Sequence, residues 1–288
     1  MITSLSGTLP LADGNAIPAI GYGTWQVADG ERAVAAVKAA IAAGYRHIDT
    51  AAAYGNEAAV GRAIAEALED NGLVREDLFV TTKLWNSRRG HDEALRAFDE
   101  SARLLGLDHV DLYLIHWPAS SRQHPEDWAE VNAATWRAFE ELKAEGRARS
   151  IGLSNFMPRH LQALLAVAHE QPVVNQLELH PGFGQWQAAE ASRQAGLVVE
   201  AWSPLGSGAV LGDPALTAVA AEVGRTPAQV ALRWLLQQDV VVLPKSVTPE
   251  RIVANTELFD FELSDEQMAA VAAIDDGAEH HDPDQVTF

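Results

Sequence analysis

Short apolar runs alternate with amphipathic stretches along nearly the whole chain. The runs that predict β-strands are Ala19–Tyr22, His47–Asp49, Leu78–Lys83, Val110–His116, Ser150–Ser154, Val173–Leu177, Val198–Ala201 and Val240–Leu243. Between and after them, apolar residues recur at helical spacing over Glu31–Ala43, Glu57–Glu69, Asp92–Leu105, Trp128–Glu145, Arg159–Ala168, Gln187–Gln194, Pro227–Gln237 and Pro249–Asn255. Several helix starts carry chemical markers. Thr226-Pro227-Ala228-Gln229 offers a cap, a proline at the first helical position and a capping-box glutamine, and Asp213-Pro214 and Thr248-Pro249 repeat the cap–proline pair. Two further helices fit Ala215–Val223 and Asp265–Ile274, the second behind Ser264 with Gln267. Ahead of the first strand, Ala12-Asp13-Gly14-Asn15 is a turn signal within Leu5–Ile17 and predicts a β-hairpin.

No linker rich in Pro, Gly or Ser and no charge run divides the series. The strands are too continuously apolar for a sheet with one wet face. The pattern predicts an α/β fold: one (β/α)8 TIM barrel domain over residues 1–288, with an N-terminal β-hairpin and two extra helices. The rival is a doubly wound sheet, but Gly21-x-Gly23-x-x-Gln26 and Gly206-x-Gly208-x-x-Leu211 both lack the third glycine of a dinucleotide fingerprint.

Composition narrows the classes. Hydrophobic residues make up 48% of the 288 positions and charged ones 21%, which describes a globular chain with a large core. A net charge of −19 argues against a nucleic-acid partner and an anionic membrane surface. With no cysteine, thiolate catalysis, cysteine-bound metal and disulfides are excluded. Met1–Pro10 lacks the charge pattern of a signal peptide, and no apolar run approaches the ~20 residues that span a bilayer. These features set the expectation of a soluble, cytoplasmic monomer.

Barrel enzymes place their chemistry at the C-terminal ends of the strands. Polar residues gather at those positions: Asp49, Lys83, His116, Ser154 with Asn155, Gln176, Ser203 beyond Trp202, and Lys245 with Ser246. Each alone is an ordinary strand end; together they converge if the barrel closes. Arg46–Glu57 adds a lone Tyr54 just before a helix, with Asn56 as the expected N-cap. Free tyrosine is a poor acid at neutral pH, so Lys83, oriented by Asp49, is expected to lower the Tyr54 pKa. His116 is expected to be a neutral donor that orients a carbonyl oxygen toward Tyr54. A proton arriving at a carbonyl oxygen requires a hydride at its carbon, and no side chain supplies hydride, so the reading requires a nicotinamide cofactor.

An anion site is expected at Lys245–Arg251, where two cations and two hydroxyls flank a helix start. Three rival readings remain. A metal-dependent hydrolase barrel would use His47, Asp49, His116 and His180, but Lys83 is the wrong neighbour for a metal. A Schiff-base enzyme would use Lys83 as nucleophile and leave the anion site unexplained. A non-catalytic nucleotide-binding regulator would use the same barrel without the chemistry. The His280-His281-Asp282 run is read as a solvated tail, and no metal is expected.

The chain resembles the aldo-keto reductase superfamily. The matching stretches are Gly21–Trp25, Gly44–Glu57, Lys83-Leu84-Trp85, Leu114–Pro118, Ile151–Phe156, Asn175–Pro181, Ser203–Ser207 and Pro244-Lys245-Ser246. The resemblance implies NADPH-dependent reduction of aldehydes or ketones, with Tyr54 as proton donor and Asp49, Lys83 and His116 completing a tetrad. It implies that Ser154, Asn155 and Gln176 hold the nicotinamide carboxamide, that Trp202 stacks on the ring where many relatives have tyrosine, and that Gly23, Thr24 and Trp25 lie against the cofactor. Ser203, Leu205 and Ser207 would contact the pyrophosphate. Lys245, Ser246, Val247, Thr248, Arg251 and Asn255 would hold the 2′-phosphate and adenine, with Ala254 where relatives often have Glu. Trp25, Trp85 and Trp117, with Tyr54 and His116, would line the mouth for a small carbonyl substrate. The short tail Gly277–Phe288, Trp202 and the Lys-Ser-Val-Thr run are similar to bacterial reductases of the 2,5-diketo-D-gluconate reductase type.

Overall fold

Eight short parallel strands form one sheet in strict chain order: β3 (Tyr22–Gly23), β4 (His47–Asp49), β5 (Phe79–Leu84), β6 (Val110–Ile115), β7 (Ala148–Ser154), β8 (Val174–Glu178), β9 (Val198–Trp202) and β10 (Val241–Val242). A parallel bridge between Ile20 and Val242 joins the first and last strands, so the sheet closes into a barrel. The computed structural model describes residues 2–286. Ahead of the barrel, β1 (Thr8–Pro10) and β2 (Ala16–Pro18) form the antiparallel hairpin, with Leu9 opposite Ile17. Leu11 and Ile17 of this hairpin join Phe79, Leu112, Val174 and Val241 in one buried apolar cluster. The hairpin thus closes the N-terminal end of the barrel, which leaves the C-terminal end for chemistry.

The described residues form ten α-helices: α1 (Glu31–Ala42), α2 (Glu57–Asn71), α3 (His91–Leu105), α4 (Trp128–Ala144), α5 (Pro158–Leu165), α6 (Trp186–Gln194), α7 (Pro214–Val223), α8 (Pro227–Leu236), α9 (Pro249–Ala254) and α10 (Asp265–Ala272). Of these, α7 and α10 are the two extra ones expected. The markers at α7, α8 and α10 act where they were placed, whereas Thr248 makes no side-chain cap at α9. Asp213 caps α7 by accepting from Ala215 and Leu216, and the Thr226/Gln229 and Ser264/Gln267 capping boxes both form. Helix packing is close enough to demand glycine at one point. A Cβ on Gly61 of α2 would lie 2.3 Å from the Leu105 carbonyl oxygen at the end of α3.

The strand bounds shift by a residue or two from the apolar runs. The largest differences lie at the seam. The strands flanking it are only Tyr22–Gly23, laddered to β4, and Val241–Val242, laddered to β9, although Ala19–Tyr22 and Val240–Leu243 are both apolar enough to be strands. Gly21 still donates to Val242, and Val242 to Ala19, so the seam is hydrogen-bonded beyond the formal ladders.

Candidate active site

Lys83 is fully buried near the end of β5, and its ammonium meets three acceptors. Nζ lies 2.6 Å from Asp49 Oδ1, 2.9 Å from the Thr50 carbonyl and 3.2 Å from the Tyr54 hydroxyl. All three ammonium protons are therefore committed. Burial works against the charge, but Asp49 and Tyr54 more than offset it and hold Lys83 protonated, above its ordinary pKa. Burial raises the Asp49 pKa above the ordinary carboxylate value, and the 2.6 Å ammonium and the Gln176 amide oppose that rise.

Tyr54 ends the 3-10 turn Ala52–Tyr54, which stops at Gly55 in the left-handed region (φ 66). That conformation disfavours a Cβ, so glycine fixes where the phenol points. Burial pushes the Tyr54 pKa up to about 12, and the Lys83 cation only partly opposes it. This corrects the expectation that Lys83 brings the phenol into the neutral range: the Asp49 carboxylate is buried with the ammonium and cancels much of its field. The phenol is accordingly fully protonated at neutral pH. The His116 ring packs edge-on against Tyr54 at 5.7 Å and against Trp85 at 5.1 Å. Burial, helped by Lys83, holds His116 well below its ordinary pKa, so the imidazole is neutral, as expected. Its Nδ1 is buried without a partner, which leaves Nε2 as the ring nitrogen that can serve a ligand, as a donor when it carries the proton.

Asn56 corrects a second expectation. It stands at the N-cap position of α2, but its side chain caps nothing. Its amide donates to the Thr24 and Val27 carbonyls, and its oxygen accepts from Thr50. It ties the loop after β3 to the loop that carries Tyr54.

The residues expected to cradle the carboxamide come together beside this centre. Ser154 donates to the Gln176 carbonyl at 2.9 Å, and Asn155, at φ 62, donates to Ser154 Oγ and to the His116 carbonyl. The Trp202 indole N–H donates to Asn155 Oδ1 at 2.9 Å, which fixes the plane of the indole. A tyrosine could not make that bond from the same place, because its only donor lies at the far tip of the ring. Gln176 Nε2 donates to Asp49 Oδ2 at 2.9 Å and to Glu200 Oε2 at 2.7 Å, which leaves its amide oxygen as an acceptor. A pre-set acceptor, a hydroxyl and an oriented aromatic plane fit a planar carboxamide-bearing ring.

The remaining expected residues fall around the same barrel end. Trp25 (42% exposed) meets Trp202 edge-on at 5.8 Å, and Trp117 meets Trp202 at 6.5 Å. Thr24 Oγ1 is buried without a partner, and the Gly23 amide is spent on Pro244. Ser203, Gly206, Ser207 and Gly208 all have positive φ, so the loop holding Leu205 turns tightly, and Ser203 Oγ accepts from the Ser207 amide. Lys245 and Arg251 are exposed and form no ion pair with a described residue, so both charges are available to an anion. Tyr22 donates to the Ser246 carbonyl at 2.6 Å and pins that loop to the first barrel strand. Ser246 Oγ accepts from the Thr248 amide, Val247 packs on the core, and Asn255 is buried at the end of α9. Thr248 makes no side-chain cap, so its hydroxyl is not consumed by the helix.

Sequence reasoning missed the floor of the site. Glu200 of β9 is fully buried; its Oε1 has no hydrogen bond and faces His47 Nδ1 at 3.8 Å. Burial, then Asp49, pushes Glu200 up to about 8, and burial drives His47 down to about 3. The one signal was a carboxylate inside an otherwise apolar strand, Val198-Val199-Glu200-Ala201. The metal-hydrolase rival also fails here, because His47 bonds Thr81 while Asp49 is committed to Lys83 and Gln176. The solvated-tail reading of 280–282 is corrected at His280, whose ring stacks on Phe183 at 3.7 Å. Of the expected tail, Thr287 and Phe288 lie outside the described residues.

Residues 19–276 match the Aldo/keto reductase family. The chain belongs to the aldo/keto reductase family. It is 49% identical over 286 residues to an aldo-keto reductase of Mycolicibacterium smegmatis, covering 99% of this chain and 98% of that one. It is 43% identical to the glyoxal reductase of Bacillus subtilis over the full length of both. Among solved structures, an Asp→Ala variant of Gox0644 in complex with NADPH superposes with a TM-score of 0.88 at 40% identity, over 98% of this chain and 99% of that one. The (β/α)8 barrel is therefore the family fold, and this aldo/keto reductase is a nicotinamide-dependent oxidoreductase of carbonyl compounds. Among the described residues, no helix is long and apolar enough to cross a membrane.

Proposed function

We propose that the protein reduces small aldehydes and ketones to alcohols with NADPH, and that Tyr54 delivers the proton. The observation that carries this reading is the Tyr54 hydroxyl 3.2 Å from a buried, protonated Lys83 that is itself held by Asp49. Ser154, Gln176 and the Trp202 face would hold the nicotinamide, and Lys245 with Arg251 would hold the 2′-phosphate. The bound cofactor supplies the hydride.

Everything else falls to the side chains. His116, neutral, donates from Nε2 to the carbonyl oxygen and sets it against Tyr54. As negative charge builds on that oxygen, Lys83 stabilises it through the phenol. Tyr54 then releases its proton to an alkoxide, a far stronger base than a phenolate even when the phenol pKa is about 12. Trp25, Trp85 and Trp117 keep water from the reacting carbon and give the substrate an apolar wall. The relative named a glyoxal reductase and the neighbour solved with NADPH support the substrate class and the cofactor. Oxidation of NADPH by the purified protein, followed with aldehydes, α-ketoacids, diketones and keto-sugars, tests the reading. Turnover with at least one carbonyl class is expected; none across the panel would leave the regulator reading in its place.

A further inference from the structure

Just beyond the end of β8 the chain gathers groups that the reductase chemistry does not use. Glu178, His180, Asp276 and His280 meet there, with side chains 12%, 1%, 10% and 13% exposed. The His180 Nδ1–H donates to the Pro181 carbonyl at 2.9 Å, which leaves Nε2 as a bare lone pair. That lone pair makes no hydrogen bond with a described residue and faces Glu178 Oε1 at 3.9 Å and Asp276 Oδ2 at 4.0 Å. A buried lone pair aimed at two carboxylates is repulsive unless a proton or a metal ion lies between them. No lysine or arginine among the described residues pairs with either carboxylate.

His280 is arranged in the same sense. Its Nε2 lies 3.0–3.1 Å from the Asp276 carboxylate, and the tautomer that donates there leaves the Nδ1 lone pair facing Glu178 Oε2 at 3.5 Å. Each imidazole thus presents one bare nitrogen and has its other nitrogen held by an oxygen, as metal-bound histidines do. One ligand atom each from Glu178, His180 and His280 lies within 4.8 Å of the others. Bonds of about 2.0–2.1 Å in a tetrahedral site put ligand atoms roughly 3.4 Å apart. The 3.5 and 3.9 Å separations run to the two different oxygens of Glu178, and with the three ligand atoms within 4.8 Å of one another the set needs to contract by at most about 1.4 Å.

We propose that Glu178, His180 and His280 bind one divalent transition-metal ion of the Zn2+ class, with Asp276 and the Pro181 carbonyl orienting the imidazoles. Two nitrogen ligands select against Ca2+ and Mg2+, which take oxygen. Three protein ligands leave the fourth position to water from the adjoining cleft lined by Phe183, Ala278 and Asp282. The site shares no residue with the Lys83–Tyr54 centre. Its consequence is structural: the ion joins the segment that carries Asp276 and His280 to β8, beneath Gly206, where a Cβ would lie 3.2 Å from the His180 ring.

The test uses the full-length chain without a purification tag, stripped by EDTA and dialysed. Calorimetric titration with ZnCl2 should show one equivalent bound. His280→Ala and Glu178→Gln should each weaken binding by about tenfold or more, while His91→Ala, at a separate histidine–carboxylate cluster, should leave it unchanged. Backbone amides of 276–283 should exchange more slowly with Zn2+ in the parent and not in His280→Ala. Failure of the parent to bind Zn2+, an affinity unchanged in His280→Ala, or tail exchange indifferent to Zn2+ would each overturn the proposal.

Discussion

Gln176 and Glu200 face each other inside the barrel, with the amide nitrogen of one 2.7 Å from the carboxylate of the other. Because the same nitrogen also reaches Asp49, Glu200 and Asp49 together lock the glutamine amide, and its oxygen points away from both carboxylates. The floor of the site therefore decides which amide atom is left as a free acceptor.

This arrangement has a pH signature. The folded pKa of Glu200, about 8, is raised above its ordinary 4.5, so the folded state binds the extra proton between those values. Folding stability should then fall as pH rises through that window, by at most ~1.4 kcal/mol per pH unit from this group. Glu200→Gln removes the charge and keeps a hydrogen-bonding group, so it should flatten the slope. Urea unfolding of parent and variant across pH 5 to pH 8 checks this; identical slopes would show that Glu200 is ionised throughout.

Lys83 and Asp49 should behave as a unit. Lys83→Met leaves a buried carboxylate without its cation and should destabilise the fold by about 3–5 kcal/mol. The double variant Lys83→Met/Asp49→Asn should regain part of that stability yet stay inactive. Additive losses in the double variant would mean that the two groups are not coupled. Borohydride should trap no substrate on Lys83, because its three protons are all donated.

The barrel itself was legible because each strand is a continuous apolar run and because caps such as Thr226/Gln229 are local. The tetrad was legible because Asp49, Lys83 and His116 mark strand ends. Asn56 was not: its partners Thr24 and Val27 lie some thirty residues away, and only the folded barrel decides between them and the helix. The Tyr54 pKa was misread for a similar reason. Sequence showed the neighbouring cation but neither the burial of the phenol nor the opposing Asp49 carboxylate. Glu200 and His280 announced themselves only as polar residues out of place, one in an apolar strand and one in a tail.

In the proposed function, cofactor choice would rest on Lys245 and Arg251. Charge-assisted hydrogen bonds to a phosphate are worth on the order of 1.5–3 kcal/mol each, and NADH lacks that phosphate. Arg251→Ala should raise the NADPH dissociation constant by about one to two decades and leave NADH nearly unchanged. Titration of both cofactors at two salt concentrations reads this out. Equal weakening of both would place Arg251 on the adenine or the fold, and a parent that prefers NADH would remove the phosphate site.

The proton donor is the centre of the account, and one measurement addresses it directly. Tyr54→Phe keeps the ring that packs on His116 and removes only the hydroxyl. Its rate of NADPH oxidation with a carbonyl that the parent reduces should fall by about two to four decades, while the NADPH dissociation constant stays at the parent value. Turnover close to that of the parent would contradict Tyr54 as the acid.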